Sequence, residues 1–299
     1  MIAGTAVPFA LVDVFTNVPL EGNPLAVVPY VPGLDDAVFP RLAREFNQSE
    51  TTFLFPPTRA DADWLLRSFT PTGVEVSGAG HNALGAWWWL AASGLLELQD
   101  GTAHFRQQIG PRVLPLTIRA EAGSPVAVGM TQSAATFGAV VTDRAALAAA
   151  LGIDVDDLLA GPLSPQVVAT DVAHLLVPVH RDALPRTRPD PARIAELVRV
   201  HGGEGCYVFT IEPRDAAAVA DARFFNPGVG IAEDPATGTA AGPLAAYLVH
   251  NGVAAGPRIV IDQGLQTGRP SRLEVEVTGS GIELRGAAVV TAEGTIRIR

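Results

Sequence analysis

The chain has 299 residues, of which 48% are hydrophobic and 17% charged, and its formal net charge is −10. This composition predicts a globular protein with one large or two ordinary domains, and it argues against a nucleic-acid-binding protein. No apolar run approaches the roughly 18 residues of a membrane-spanning helix. The apolar start lacks the basic region of a signal peptide, and the single cysteine, Cys206, favours a cytoplasmic location.

Two absences narrow the chemistry. All 21 basic residues are arginine, so the Lys-dependent classes are excluded: pyridoxal phosphate enzymes, Schiff-base aldolases and P-loop proteins. The six histidines show neither HxH nor HExxH spacing, and no metal site is predicted from them.

Apolar segments of strand length alternate with turn residues along the chain. They cover residues 9–15, 25–30, 51–55, 64–69, 103–109, 113–119, 174–179, 205–211, 258–262, 272–277, 282–286 and 287–291. Helices are predicted over 35–47, 81–93, 143–151, 191–200 and 240–250. The second and fifth are apolar on nearly every side, which is typical of a buried helix. We therefore expect a curved sheet around one central helix, formed twice.

Two stretches of the chain, 77–94 and 233–252, match each other. Aligning Gly80 with Gly238 also aligns Leu90 with Leu248 and Gly94 with Gly252. Upstream, RSFTP at 67–71 matches RFFNP at 223–227. Chance similarity between Gly- and Pro-rich turns is the alternative, but the order of the matches favours an internal repeat.

Each repeat ends a strand at the start of a buried helix, where unpaired N–H groups and the helix dipole favour an anion. His81 lies at the first helix, and Asp234 and Thr239 lie at the second. Structural alternatives remain open: Asp234 as an N-cap before Pro235, Thr239 as a partner of the same N–H groups, and His81 as a satisfied core histidine.

A candidate acid/base lies at Glu50, in NQSETTFLF, where a β-rich run begins. An exposed glutamate at a strand edge is the ordinary interpretation. However, Ser49, Thr51 and Thr52 surround Glu50 in the sequence and are expected to orient its carboxylate through hydrogen bonds.

Five blocks of the sequence resemble the PhzF-like proteins, the phenazine-biosynthesis isomerase family. They are DVFTNVPLEGNPLAVV at 13–28, QSETTF at 48–53, SGAGHNALGA at 77–86, EDPATGTAAGPLAAYL at 233–248 and QGLQTGRPSR at 263–272. The resemblance implies an α+β, diaminopimelate-epimerase-like fold with two pseudo-symmetric domains, each a β-barrel-like sheet around a central buried helix. The domains are expected at 1–122 with about 284–299, and at 123–283, with the active site in the cleft between them.

The family resemblance also implies a cofactor-independent enzyme without a metal, usually a homodimer, acting on a small carboxylic acid. Its acid/base falls on Glu50, and two further catalytic residues fall on His81 and Asp234. Substrate binding is expected at Asn23, Ser49, Gly80, Asn82, Gly238 and Thr239. Asn82 and Thr239 replace the usual Pro and Ser, and Gly78-Ala79 replaces the common Phe-Ala, so the substrate is left open.

A single cysteine excludes racemisation by two thiols, whereas one carboxylate can lift a proton from one carbon and return it to another. The sequence therefore predicts a proton-shifting isomerase acting on a conjugated acid. Two other functions stay open. GAGHNA at 78–83, with Glu97 downstream, fits the pattern of a dinucleotide-dependent oxidoreductase. A non-catalytic small-molecule binding protein of the same fold is the other.

Overall fold

The computed structural model describes residues 5–254, 256–279 and 281–298. Within these ranges the chain forms 18 strands and five α-helices. Strands dominate, helices are segregated from them, and most strand pairs are antiparallel, so the predicted α+β class is confirmed.

The chain divides into two compact units. The first contains Met1–Thr131 and Gly286–Arg299, and the second contains Gln132–Arg285. The C-terminal strand thus belongs to the first unit, because it pairs along its whole length with the first strand of the chain.

The first unit consists of strands β1 (Thr5–Val14), β2 (Asn23–Val28), β3 (Glu50–Phe55), β4 (Trp64–Phe69), β5 (Glu75–Val76), β6 (Gly101–Ile109), β7 (Arg112–Glu121), β8 (Ser124–Gln132) and β18 (Ala288–Ile298). Its helices are α1 (Phe39–Phe46) and α2 (His81–Ala92).

The second unit consists of strands β9 (Thr136–Val140), β10 (Gln166–Ala169), β11 (Ala173–Pro178), β12 (Gly205–Thr210), β13 (Ala220–Asn226), β14 (Ile231–Asp234), β15 (Arg258–Gln263), β16 (Ser271–Thr278) and β17 (Gly281–Gly286). Its helices are α3 (Arg144–Leu151), α4 (Pro191–Val200) and α5 (Gly238–His250).

The two units share one strand topology. In the first, hydrogen-bonded neighbours run β18-β1-β2-β3-β4-β6-β7-β8; in the second they run β9-β10-β11-β12-β13-β15-β16-β17. The parallel pairs β2–β3 and β4–β6 have the counterparts β11–β12 and β13–β15. The repeat in the sequence therefore corresponds to a repeat of structure.

Helices α2 and α5 are the two buried helices that their apolar sequences predict. Every residue of α2 from His81 to Ala91 is buried, and so is most of α5. Both end in the same way: Gly94 and Gly252 take φ of 75° and 70°, and the next N–H bonds back to Leu90 and Leu248.

A repeated ion pair extends the internal match. Arg67 on β4 pairs with Glu75 at 2.8 Å, and Arg223 on β13 pairs with Glu233 at 2.8 Å. The second pair is two residues farther apart in sequence, and a short 3-10 helix at Pro227–Val229 lies within that longer connection.

Candidate active site

Glu50 is the first residue of β3 and is half-buried. Alternate residues of a strand point to the same face, so Glu50 shares its face with Thr52. The Thr52 hydroxyl lies 2.9 Å from that of Ser68, which in turn accepts a hydrogen bond from the Asn82 side chain on α2 at 3.1 Å. Glu50 therefore lies on the face of the sheet that carries α2.

The expectation that the neighbouring hydroxyls orient Glu50 needs correction for Thr51. Thr51 points to the opposite face of β3, where Phe53 packs with Phe39 of α1. Its buried Oγ1 has no hydrogen-bond partner in the described part of the chain. Thr52 uses its hydroxyl on Ser68, and Ser49 lies in the bend just before the strand.

Asn82 ties the turn before α2 to the sheet. Its Nδ2 donates to Gly78 O at 2.9 Å as well as to Ser68, and its Oδ1 accepts from the Gly80 N–H at 2.8 Å. Gly80 was predicted to contact the substrate, but its N–H already donates to Asn82 Oδ1. An anion at this helix would instead meet the first-turn N–H groups that precede the bond from Leu84 N to Gly80 O.

His81 is the first residue of α2, and only 8% of it is exposed. Its Nε2 is buried and has no hydrogen-bond partner among the described residues, which favours a site residue over a satisfied core histidine. Burial lowers the pKa of His81 from 6.5 to about 4. A neutral imidazole therefore stands at the N-terminus of this helix near pH 7.

Asp234 is the last residue of β14, and α5 begins four residues later with Thr237 as its N-cap. The alternative of Asp234 as the N-cap is therefore wrong. Instead, the Thr237 hydroxyl donates to Asp234 Oδ2 at 2.6 Å. Asp234 is 7% exposed, and this bond fixes the orientation of its carboxylate.

Gln263 and Tyr207 form a hydrogen-bonded network beside Asp234, and the sequence analysis did not identify either residue. Gln263 Nε2 donates to Asp234 O at 2.7 Å and to Thr237 Oγ1 at 3.1 Å, while its Oε1 accepts from Tyr207 at 2.8 Å. Burial, and then the charge of Asp234, raise the pKa of Tyr207. Gln263 opens the block QGLQTGRPSR, and that was the only signal for it.

The start of α5 is held by Gln132, whose Nε2 donates to Gly238 O at 2.9 Å. A Cβ at Gly242 would collide with Gln132 Oε1, so the glycine leaves room for this placement of the Gln132 amide. The Thr239 hydroxyl lies 3.1 Å from Nε2 of His174 on β11, which was also missed. Thr239 therefore does not serve only the N–H groups of its own helix.

Neither α2 nor α5 has a side-chain N-cap hydrogen bond or an acidic residue in its first turn, as far as the chain is described. Both N-termini thus keep the positive potential that favours an anion. The described residues contain no group of three or more His, Cys, Asp or Glu side chains placed to hold a metal ion.

The predicted substrate-binding residue Asn23 and the single cysteine, Cys206, both lie in strands. Asn23 is the first residue of β2 and is completely buried. Cys206 is buried on the face of β12 that packs against α3 and α4, and burial raises the pKa of its thiol to about 12. This cysteine cannot supply a thiolate near neutral pH.

The two buried histidines predict an acid-sensitive fold. Burial lowers the pKa of His81 from 6.5 to about 4 and that of His174 from 6.5 to about 3. Below pH 6.5 the unfolded chain therefore binds protons that the folded chain does not, and stability falls as the pH drops. Between pH 7 and pH 5 each histidine should lower the free energy of unfolding by about 2 kcal/mol.

Urea denaturation at pH 5, 6 and 7 measures this loss of stability. The variant His81→Asn/His174→Gln, which carries neither titrating ring, should show a clearly flatter pH dependence than the wild type. Parallel curves for the two proteins would contradict the prediction.

Comparison with known proteins identifies the family. The sequence profile of the family described as phenazine biosynthesis-like protein matches residues 12–294. The chain belongs to this family. The predicted resemblance is thereby confirmed.

Individual relatives agree with this family assignment. The chain is 33% identical over 300 residues to the trans-2,3-dihydro-3-hydroxyanthranilate isomerase of Pseudomonas fluorescens, covering 96% of this chain and 98% of the relative. It is 33% identical over 273 residues to an uncharacterised isomerase of Clostridium acetobutylicum, covering 89% and 88%. A solved PhzF-family structure from Bacillus anthracis superposes with a TM-score of 0.87 at 27% identity, covering 98% and 100%.

The relatives from Pseudomonas fluorescens and Clostridium acetobutylicum are named isomerases, so the prediction of an isomerase is confirmed and an oxidoreductase is not supported. Within the described residues, no helix is both long and apolar enough to cross a membrane.

Proposed function

We propose that the protein moves a proton between two carbons of a small conjugated carboxylic acid, with Glu50 as the single general acid/base. The observation that carries this proposal is the contrast between the two units at one equivalent position. In the first, Arg67 pairs with Phe53 across β3 and β4; in the second, Arg223 pairs with Val208 across β12 and β13. Glu50 lies three positions before Phe53, and Gly205 lies three positions before Val208, so the two residues are equivalent.

Gly205 carries no side chain, and a Cβ there would collide with the ring of Phe224. The second unit therefore fills with an aromatic ring the space that a carboxylate occupies in the first. Cys206 beside Gly205 is buried, and burial raises the pKa of its thiol to about 12, so at this position the two copies offer one carbon base rather than two. A single base supports a proton shift on one face of the substrate more than racemisation, which needs a base on each face.

In this mechanism the Glu50 carboxylate removes a proton from one carbon, and the electron pair of the broken C–H bond delocalises into the conjugated acid. Glu50 then returns the proton to another carbon of the same system. No net oxidation occurs, and the proposal requires neither a cofactor nor a metal. Positioned acid/base groups contribute about 10²–10⁴-fold to such reactions.

The remaining predicted residues have supporting roles in the proposal. The neutral His81 and the first turn of α2 would polarise the substrate and stabilise the enolate-like anion. Asp234 would orient a polar substrate group, with its own direction set by Thr237. Asn23, Ser49, Gly238 and Thr239 are proposed to bind the substrate, and Asn82 to hold the turn around Gly80.

The proposed substrate is an acid of the dihydro-hydroxyanthranilate type, because the relative from Pseudomonas fluorescens is named as an isomerase of such a compound. Homodimerisation and a cytoplasmic location stay predictions.

Reaction in D₂O tests the proton shift. Conjugated hydroxylated acids, including trans-2,3-dihydro-3-hydroxyanthranilate, would be incubated with the protein and followed by NMR. We expect deuterium at the carbon that receives the proton, in proportion to exchange of the Glu50 carboxyl proton with solvent before its return. Isomerisation of none of these acids, or label at a carbon outside the conjugated system, would refute the mechanism.

A further inference from the structure

The second unit contains a histidine with no counterpart in the first. His174 on β11 pairs in register with Gly205 on β12, and the same register in the first unit places Leu25 beside Glu50. One unit thus has a carboxylate next to leucine, and the other has a histidine next to glycine. The difference points to a separate task for each polar group.

We propose that His174 is a positioning residue that fixes the Thr239 hydroxyl as a hydrogen-bond donor to an anionic oxygen of the substrate. This inference rests on the proposed function, since it assigns the carboxylate or enolate oxygen of that substrate to Thr239.

The ring of His174 is held firmly in place. It is 2% exposed, and it meets the ring of Phe224 edge-on, with centroids 5.1 Å apart and an interplanar angle of 88°. Its Nε2 lies 3.1 Å from Thr239 Oγ1. Burial keeps the ring neutral at physiological pH by lowering its pKa to about 3.

The hydrogen-bond pattern assigns the tautomer of this neutral ring. The buried Nδ1 has no hydrogen-bond partner among the residues that the structure describes. A proton on Nδ1 would bury an unpaired N–H donor, whereas a proton on Nε2 leaves only an unpaired acceptor, which folded proteins tolerate more readily. Nε2 therefore carries the proton, and this N–H donates a hydrogen bond to Thr239 Oγ1.

The direction of this bond decides what Thr239 can do. Because its oxygen accepts from His174, its own proton is available for another acceptor. Thr239 is half-buried in the first turn of α5, so a ligand can reach it. The potential of that helix N-terminus favours a negatively charged acceptor. An anionic oxygen of a small acid is the ligand chemistry that fits.

Binding of anthranilate, measured by calorimetry, tests the pairing without requiring turnover. We expect His174→Leu and Thr239→Val each to raise Kd about tenfold, the usual scale of one hydrogen bond to a charged group. The double variant should bind no more weakly than Thr239→Val alone, because both changes remove the same interaction. His174→Gln, whose amide can donate from nearly the same place, and Thr239→Ser should recover most of the affinity. His180→Gln, at an exposed position, is the matched control.

Additive losses in the double variant, or unchanged binding by His174→Leu, would overturn the proposal. So would a wild-type protein that does not bind anthranilate. The ¹⁵N chemical shifts of the His174 ring report its tautomer in the wild-type protein, so this measurement does not depend on a variant that folds. A proton on Nδ1 would contradict the proposed tautomer. The proposed function fails separately: if Glu50→Gln kept full turnover while the His174 and Thr239 results held, the acid/base assignment would fall and the anion contact would stand.

Discussion

Replacing Glu50 with glutamine should lower turnover by about 10²–10⁴-fold, the contribution expected of a positioned general acid/base. Glutamine keeps the size of the side chain and its place at the start of β3, but its amide cannot take a proton from carbon. Folding and anthranilate binding should survive, because Glu50 lies at a half-buried strand end and outside the packed core. Kinetics of kcat and KM, together with thermal denaturation, measure both effects.

The matched control is Glu97→Gln. Glu97 is exposed and lies outside every helix and strand, so its replacement should leave kcat and KM unchanged. The dinucleotide interpretation assigned Glu97 a ribose contact, and a defect in this variant would revive it. Full activity in Glu50→Gln would remove the main support for a one-base isomerase.

Replacing Arg223 with methionine should destabilise the protein by about 3–5 kcal/mol, because it leaves the charge of Glu233 without compensation. The Arg223 side chain is only 5% exposed. It holds Glu233 through two hydrogen bonds of 2.8 Å and donates to the carbonyls of Leu184 and Thr187 at 2.9 Å. All these acceptors lose their donor at once.

The internal repeat supplies the control for this substitution. Arg67 is 25% exposed, and its partners Glu75 and Asp36 are 46% and 75% exposed. Arg67→Met should therefore cost only about 1 kcal/mol, mostly from lost contact with the rings around it. Urea denaturation followed by circular dichroism compares the two variants. Adding Glu233→Met to Arg223→Met should restore part of the stability, and equal losses at Arg67 and Arg223 would show that burial does not set the energy of these pairs.

Local sequence predicted the repeated architecture because the signals for it are local. The all-round apolarity of 81–93 and 240–250 is enough to require burial, and Gly94 and Gly252 end both helices through a left-handed turn that glycine adopts without strain. The match RSFTP with RFFNP likewise located two equivalent strands. The short strands β9, β10 and β14 were missed, because they have few residues and little alternation. The nine-residue strand β8 was missed as well.

The roles of the polar residues depended on distant partners. Asp234 before Pro235 looks like an N-cap, but Gln263 and Thr237 hold it at the end of a strand, and α5 starts later. Asn82 looked like a ligand contact, yet it binds Ser68 and the turn before its own helix.

The sequence by itself determined the family, the duplication, the buried helices and the identity of the candidate acid/base, because periodicity, motifs and residue types do not depend on long-range contacts. Only the tertiary structure decided that Gly205 and Phe224 occupy in the second unit the place that corresponds to Glu50. It alone brought His174 to Thr239 across 65 residues of sequence. Strand register sets the first result, and the packing of α5 against β11 sets the second. Both depend on contacts between segments far apart in the chain, which no local pattern records.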